Sequence, residues 1–346
     1  MKIKIFGGGS AGWLTALILK HNLPDYNIEI RCDKELSIIG VGESTLPPFV
    51  RCMNNIFKDE NWLDACNGTI KTHIEHNNWV SNNHKYTWPF PNNSFGAHVD
   101  NYLLVKLLEE KADAIGVSRT DNNNFENADL YIDCTGFSRF SNKFYERNFI
   151  NFNHHKNNAW AGRIMKYQSN KNYTTTYATK TGWIWEVPLN GYMGVGIVHN
   201  VENRDEALTE LKTQFQDLDS AKEISFTTGY FENPWVDDCV VIGNSAGFIE
   251  PLEATNMYFM QACAETLIKI LPSFNQKLYN KWFSKMYNVT TKFIIAHYSF
   301  SKRTDWVYKS YKDLLDFLKN GVKCNGYNTF IHSSGFKNFI SSYALD

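Results

Sequence analysis

The tightest constraint on this chain lies at its start, where Gly7-Gly8-Gly9-Ser10-Ala11-Gly12 satisfies G-x-G-x-x-G directly after residues 2–6, KIKIF. The alternating run reads as a strand, and Trp13 to Leu19 place apolar residues at helical spacing. Ile28-Glu29-Ile30 reads as the next strand. In this strand–turn–helix–strand setting each glycine has a task. The first makes the turn tight, the second lets a pyrophosphate approach the backbone, and the third lets helix pack on strand. The helix N-terminus then faces the phosphate charge. Gly7, Gly9, Ser10, Ala11 and Gly12 are therefore expected to hold a dinucleotide. Asp33 falls about 20 residues on, where an acidic ribose partner belongs. The motif does not separate NAD from FAD.

The rest of the chain excludes several classes. The formal net charge of -1 gives no basic excess for nucleic acid or an anionic membrane. No stretch reaches the ~18 apolar residues of a spanning helix, and the N-terminus lacks a signal-peptide core. Seven Cys without a C-x-x-C pair read as reduced thiols, which points to the cytoplasm. An aromatic share of 15% suits a pocket for a flat ligand and equally a plain core.

Residues 69–80 alternate, with Ile70, Thr72 and Ile74 on one face and Lys71, His73 and Glu75 on the other. Residues 101–116 read as an amphipathic helix, and Leu130 to Asp133 as a strand. Residues 157–235 are strand-rich. A strand over 239–242 precedes a helix from about Pro251 to Leu271, and 277–320 read as helices. His73 and His76 in H-x-x-H are expected to face opposite ways in an alternating segment with no third ligand, so no metal is expected.

Two segments favour FAD over NAD. Val241-Ile242-Gly243-Asn244-Ser245-Ala246 repeats the strand-to-small-residue turn late in the chain, as in flavoproteins of the aromatic hydroxylase type. The other is Gly40-Val41-Gly42-Glu43-Ser44-Thr45. Together with Asp133-Cys134-Thr135-Gly136-Phe137, Trp183-Ile184-Trp185-Glu186-Val187-Pro188 and Phe248 to Thr255 (FIEPLEAT), they resemble, in order, the motifs of the flavin-dependent tryptophan halogenases. The resemblance runs from residue 1 to about 310.

It implies an α/β, Rossmann-like FAD-binding fold of the aromatic hydroxylase/halogenase type with an inserted mixed β-sheet region and a C-terminal helical part. A compound FAD-binding domain would span 1–265, with flavin elements 1–55, 97–150 and 236–265 and inserted elements 56–96 and 151–235. A helical region, 266–346, would follow. Glu43 and Asn244 would join the cofactor site. Cys32 stands where the family often has a carboxylate, so the ribose contact passes to Asp33.

The implied reaction uses FADH2, O2 and a halide ion (chloride, bromide or iodide) to form hypohalous acid. The acid passes to a lysine beside an electron-rich aromatic substrate. Spacing alone makes Lys71 a solvated strand lysine; the resemblance makes it catalytic, as haloamine or as hydrogen-bond donor. Glu253 would accept the ring proton or polarise the oxidant, whereas its place after Pro251 alone suggests a first-turn carboxylate. Thr255 and Asn256 match the positions whose amides hold halide. Asn256 replaces the family's Gly; Asn tolerates a left-handed backbone, and the change suggests preference for a larger halide. Trp183 and Trp185 read either as core aromatics or as a screen between flavin and substrate.

A separate flavin reductase would supply FADH2, and a homo-oligomer is compatible with the resemblance. Two other readings compete: a flavin monooxygenase acting directly on substrate, and a non-catalytic flavoprotein. The second draws on a C-terminal part that reads as shorter than the family's, in the region expected to cap the substrate pocket.

Overall fold

The computed structural model describes residues 1–32, 42–58, 61–80, 82–152, 157–167 and 170–299. Asp33 and the His154-His155 pair lie outside the described residues, as does the expected helix beyond Ser299.

The first strand, Lys2–Phe6, sits centrally in a six-stranded sheet. It pairs in parallel with Asn27–Arg31 on one side and Leu130–Asp133 on the other. Ser118–Arg119 extends one edge in parallel. Cys239–Val241 extends the other, and Trp235–Val236 pairs antiparallel with it. Parallel strands need covered faces, and their apolar runs reflect this. The helix Ser10–Asn22 supplies one cover. It is buried without a break from Ala11 to Leu19 and packs on the helices Asn101–Ala114 and Thr255–Ile270. Asp100 caps Asn101–Ala114 by accepting from the amides of Tyr102 and Leu103.

A seven-stranded mixed sheet holds the inserted segments. Its order is Ala221–Ser225, Asn158–Met165, Tyr192–His199, Gly182–Leu189, Thr174–Ala178, His73–Asn77, Lys85–Pro89. All its pairs are antiparallel except Thr174–Ala178 with His73–Asn77. Residues 157–235 are not strands alone: the helix Arg204–Gln214 packs Ala207 and Leu211 against Ile184, Val195 and Ile197.

The alternation over 69–80 is not one strand. Thr69–Lys71 belongs to a small sheet with Gly96–Val99 and Glu43–Ser44, while His73–Asn77 joins the large sheet. Thr72 makes the switch, donating its amide to Asn172 and accepting from that of Phe90. The expected faces are thereby reversed before the switch: Ile70 is 45% exposed and Lys71 fully buried. Lys71 is not a solvated lysine.

The helix expected from Pro251 begins instead as Thr255–Ile270 and runs across residue 265. Residues 251–254 form a turn that ends on Ala254 in the left-handed region, at φ 53°. The expected left-handed residue was Asn256, which is helical; the reversal has already been made two residues earlier. Glu253 is therefore in the turn and not a first-turn helix carboxylate. The last described helix, Gln276–Ser299, returns over Thr255–Ile270. No described helix is long and apolar enough to cross a membrane.

Candidate active site

The glycine turn is shaped as its spacing requires. A Cβ on Gly7 would lie 2.4 Å from the Cys134 carbonyl oxygen, and one on Gly12 would lie 1.7 Å from that of Gly7. A Cβ on Gly9 would meet nothing within 4 Å, because Gly9 faces a cavity of about 530 Å³. That cavity is lined by residues 7–11, Arg31, Glu43, Asn101 and Asn244 among others. The helix Ser10–Asn22 has no side-chain cap and no acid in its first turn, so its leading amides are free for an anion. Asn244 Oδ1 is buried without a hydrogen-bond partner. A free helix end, an open glycine and an orphaned polar atom around one cavity fit a dinucleotide.

Asp133 ties this region together. Its carboxylate accepts from the Thr135 amide and hydroxyl, the Ser141 amide and the Ser245 hydroxyl. The D-C-T-G segment and the late Gly243–Ser245 turn are thus locked to each other beside the glycines. Arg31 and Asn101 were missed by sequence reading. Asn101 accepts from the Ser10 hydroxyl at 2.7 Å, a contact across 91 residues that no local pattern announces.

A second cavity, about 180 Å³, shares Glu43, Asn244, Asn256 and Met257 with the first. Trp183, Trp185, Phe226, Phe248, Glu250 and Thr255 also line it. Glu43, Asn244, Thr255 and Asn256 thus meet here, from three separate segments. Burial pushes the Glu43 carboxyl up to about 7. Ala254 cannot cap the helix Thr255–Ile270, so its first amides, at Thr255 and Asn256, have no side-chain acceptor. Trp185 reaches the cavity because Gly196 leaves room, a Cβ there falling 2.2 Å from the indole.

Lys71 lies beyond this cavity. The small sheet carries the link: Glu43–Ser44 pairs with Val99 and His98, and Lys71 pairs with Gly96. Lys71 Nζ donates to the Thr45 carbonyl at 3.3 Å and lies 5.4 Å from the Phe90 ring centroid. Burial lowers its pKa to about 7, against the opposing pull of the Glu253 charge. Lys71 and Glu253, 182 residues apart, are near enough for the Glu253 charge to act on the Lys71 ammonium.

Glu253 has two further neighbours that the sequence did not reveal. Its Oε1 lies 3.2 Å from His76 Nε2 and 3.0 Å from His297 Nε2, all three buried. Burial favours the neutral carboxyl, but the His297 and His76 rings outweigh it and bring the pKa down to about 2. These three ligand-type atoms lie within 4.8 Å of one another. The expectation that His76 has no third ligand near it is thus wrong: its companions are Glu253 and His297, from distant segments, and not His73. Adjacent to His297, Tyr298 donates to Glu250 and accepts from the Trp183 indole at 2.8 Å.

The family model described as "Tryptophan halogenase" matches residues 2–106 and 104–342. The chain belongs to the tryptophan halogenase family. Tryptophan 7-halogenase RebH of Lentzea aerocolonigenes is 27% identical over 410 aligned residues, covering 88% of this chain and 77% of the relative. Tryptophan 6-halogenase ThaL of Streptomyces albogriseolus is 25% identical, covering 93% and 81%. Among solved structures, Xcc4156, a flavin-dependent halogenase from Xanthomonas campestris, superposes with a TM-score of 0.90. It is 21% identical, with 99% of this chain and 88% of that one covered. The match confirms the expected FAD-binding α/β fold and makes the chain an enzyme of the flavin-dependent halogenase class. As a member of this family it is expected to use FAD and halide.

Proposed function

We propose that this halogenase uses FADH2, O2 and halide to halogenate an electron-rich aromatic substrate, with Lys71 as the residue that transfers the halogen. One observation carries the reading. Lys71 is a fully buried amine under the influence of Glu253, which one short segment joins to a cavity that shares lining residues with the proposed dinucleotide site.

The flavin, when bound with oxygen and halide, supplies hypohalous acid. The chain's own residues do the rest. Gly9 and the amides of Ser10 and Ala11 would receive the pyrophosphate, with Gly7 and Gly12 setting the turn, and Asn244 and Glu43 would join the cofactor site where the two cavities share their lining. Thr255 and Asn256 hold halide on the uncapped helix amides. A lysine held near pKa 7 has a neutral amine at ordinary pH, with a lone pair to take halogen from hypohalous acid as water leaves. Glu253, held ionised, accepts the proton that the ring loses on substitution. A separate reductase supplies FADH2, the substrate is a small aromatic, and the enzyme works in the cytoplasm. Asp33 remains the proposed ribose partner.

The test supplies reduced FAD, oxygen, each halide and a panel of indoles and phenols to wild type and Lys71→Ala. The variant is expected to oxidise flavin at the wild-type rate and to form no halogenated product. Equal halogenation by the variant would remove Lys71 from the mechanism; oxygenated product without halide would establish a monooxygenase instead. The same assay with chloride, bromide and iodide in competition tests Asn256. Its side chain stands where the family has none and lines both cavities. A preference for bromide over chloride is expected, returning toward chloride in Asn256→Gly. Strict chloride preference in the wild type would refute it.

A further inference from the structure

His76 and His297 have no part in the chemistry above, yet both put a ring nitrogen on one oxygen of Glu253. They come from a strand of the large sheet and from the last described helix, 221 residues apart in the chain. Two buried histidines on a single carboxylate oxygen is an arrangement that packing alone does not require.

Hydrogen-bond bookkeeping fixes the protons. His297 Nδ1 lies 2.9 Å from the Phe293 carbonyl oxygen, which can only accept, so Nδ1 carries hydrogen. As placed, Glu253 Oε1 is buried without a hydrogen-bond partner and neither His297 Nε2 nor His76 Nε2 completes a bond to it, although the two nitrogens stand 3.0 Å and 3.2 Å away; a neutral His297 would leave its Nε2 lone pair against Oε1, acceptor against acceptor. The contact is favourable only if a proton lies between them. At His76 the direction is opposite. The Trp79 indole donates to Thr176 Oγ1 at 3.0 Å, which leaves that hydroxyl free to donate to His76 Nδ1 at 2.8 Å. His76 is then neutral with hydrogen on Nε2, facing Oε1 at 3.2 Å. Burial works in the same direction by disfavouring the imidazolium of His76.

We infer that His297 and His76 are positioning residues for Glu253: both bind Oε1, His297 as imidazolium, and so leave Oε2 as the oxygen that works. As placed, no described residue hydrogen-bonds either oxygen of Glu253, but only Oε1 has ring nitrogens within reach. The clamp rests on the proposed role of Glu253 only for its catalytic meaning; the proton arrangement stands on the geometry. Among the described residues, the charged and titratable groups facing the cluster include Lys71 from the small sheet, Tyr86 stacked on His76, and Glu250 and Tyr298 beyond it. Within this set the His297–Glu253 pair is neutral as a unit. It therefore offers Lys71 less negative charge than a bare carboxylate would.

That last point gives a readout that lost packing would not move. In His297→Gln, the amide still donates to Oε1 but no longer cancels its charge. Glu253 then favours the Lys71 ammonium more strongly, and the pH at which halogenation rises moves upward by about one unit. The turnover number is expected to fall about tenfold, with KM and the rate of flavin oxidation within twofold of wild type. His76→Gln, which replaces a neutral donor by a neutral donor, should leave the pH limb in place. Nitrogen-15 NMR of the histidine rings reads the protons without reference to activity. It should show His297 as imidazolium and His76 as the Nε2–H tautomer at pH 7. A neutral His297, an unmoved pH limb in His297→Gln, or a stoichiometric metal ion released from the holoenzyme would each overturn the clamp. If Glu253→Gln halogenates at the wild-type rate while the NMR result holds, the catalytic reading of Glu253 fails and the clamp survives.

Discussion

Lys71 is where function and stability oppose each other. An unfolded lysine titrates near 10.5 and the folded one near 7, so between these values the unfolded chain binds more protons and stability rises with pH. Below pH 7 the penalty for burying the ammonium is fully present. Lys71→Met keeps the length of the side chain and removes the charge. It is expected to be more stable than wild type by on the order of a few kcal/mol at pH 6. The gap should narrow as pH passes from 7 toward 10.5. Denaturant unfolding of both proteins across that range measures it, and a variant less stable than wild type at pH 6 would refute the buried charge. Activity has its own pH signature. If the neutral amine takes the halogen, the halogenation rate rises as pH passes about 7. If the ammonium instead holds hypohalous acid by hydrogen bond, the rate falls through the same value.

At the scale of elements, the glycine turn separates binding from folding. A methyl at Gly12 meets the Gly7 carbonyl, which is backbone and cannot yield, whereas a methyl at Gly9 meets only the cavity. Gly12→Ala is therefore expected to fail to fold or to melt far below wild type. Gly9→Ala should melt with wild type in the absence of FAD and bind FAD about tenfold more weakly, a loss of about 1.4 kcal/mol. Wild-type FAD affinity in Gly9→Ala would remove Gly9 from the pyrophosphate site. This element was legible in the sequence because its defining pattern is local: strand, turn and helix lie within about 30 residues, even though Gly7 abuts Cys134 and Ser10 reaches Asn101. The switch at Thr72 was not, because alternation continues through it and only pairing with distant strands splits the segment. The turn at 251–254 was misread as helix for a related reason. Pro251 is a good helix opener, and nothing local shows that the reversal falls on Ala254.

At the scale of the molecule, residues 250–253 run from the smaller cavity to the buried cluster of Glu253, His76 and His297. Glu250 lines the smaller cavity, while Glu253 approaches the histidines and acts on Lys71. Three residues span at most about 10 Å, so on the proposed mechanism an oxidant formed at the cavity would have a short distance to cross to Lys71. The last described helix grips the segment at both ends, His297 on Glu253 and Tyr298 on Glu250, and Trp183 donates to Tyr298 from the large sheet. The motif containing Trp183 was legible, but its partner was not, since 115 residues separate the two. If Trp183 screens the flavin from the substrate, this contact would make its indole N–H part of the barrier. Trp183→Phe retains most of the apolar bulk and removes that donor, at a cost of about 1 kcal/mol. Tyr298 then holds the segment less firmly, and oxidant escapes before it reaches Lys71. The expected result is unchanged flavin oxidation, a severalfold lower ratio of halogenated product to flavin consumed, and free hypohalous acid captured by an added scavenger. A ratio equal to that of wild type, with nothing captured, would show that the barrier does not depend on this contact and that the indole serves only to pack.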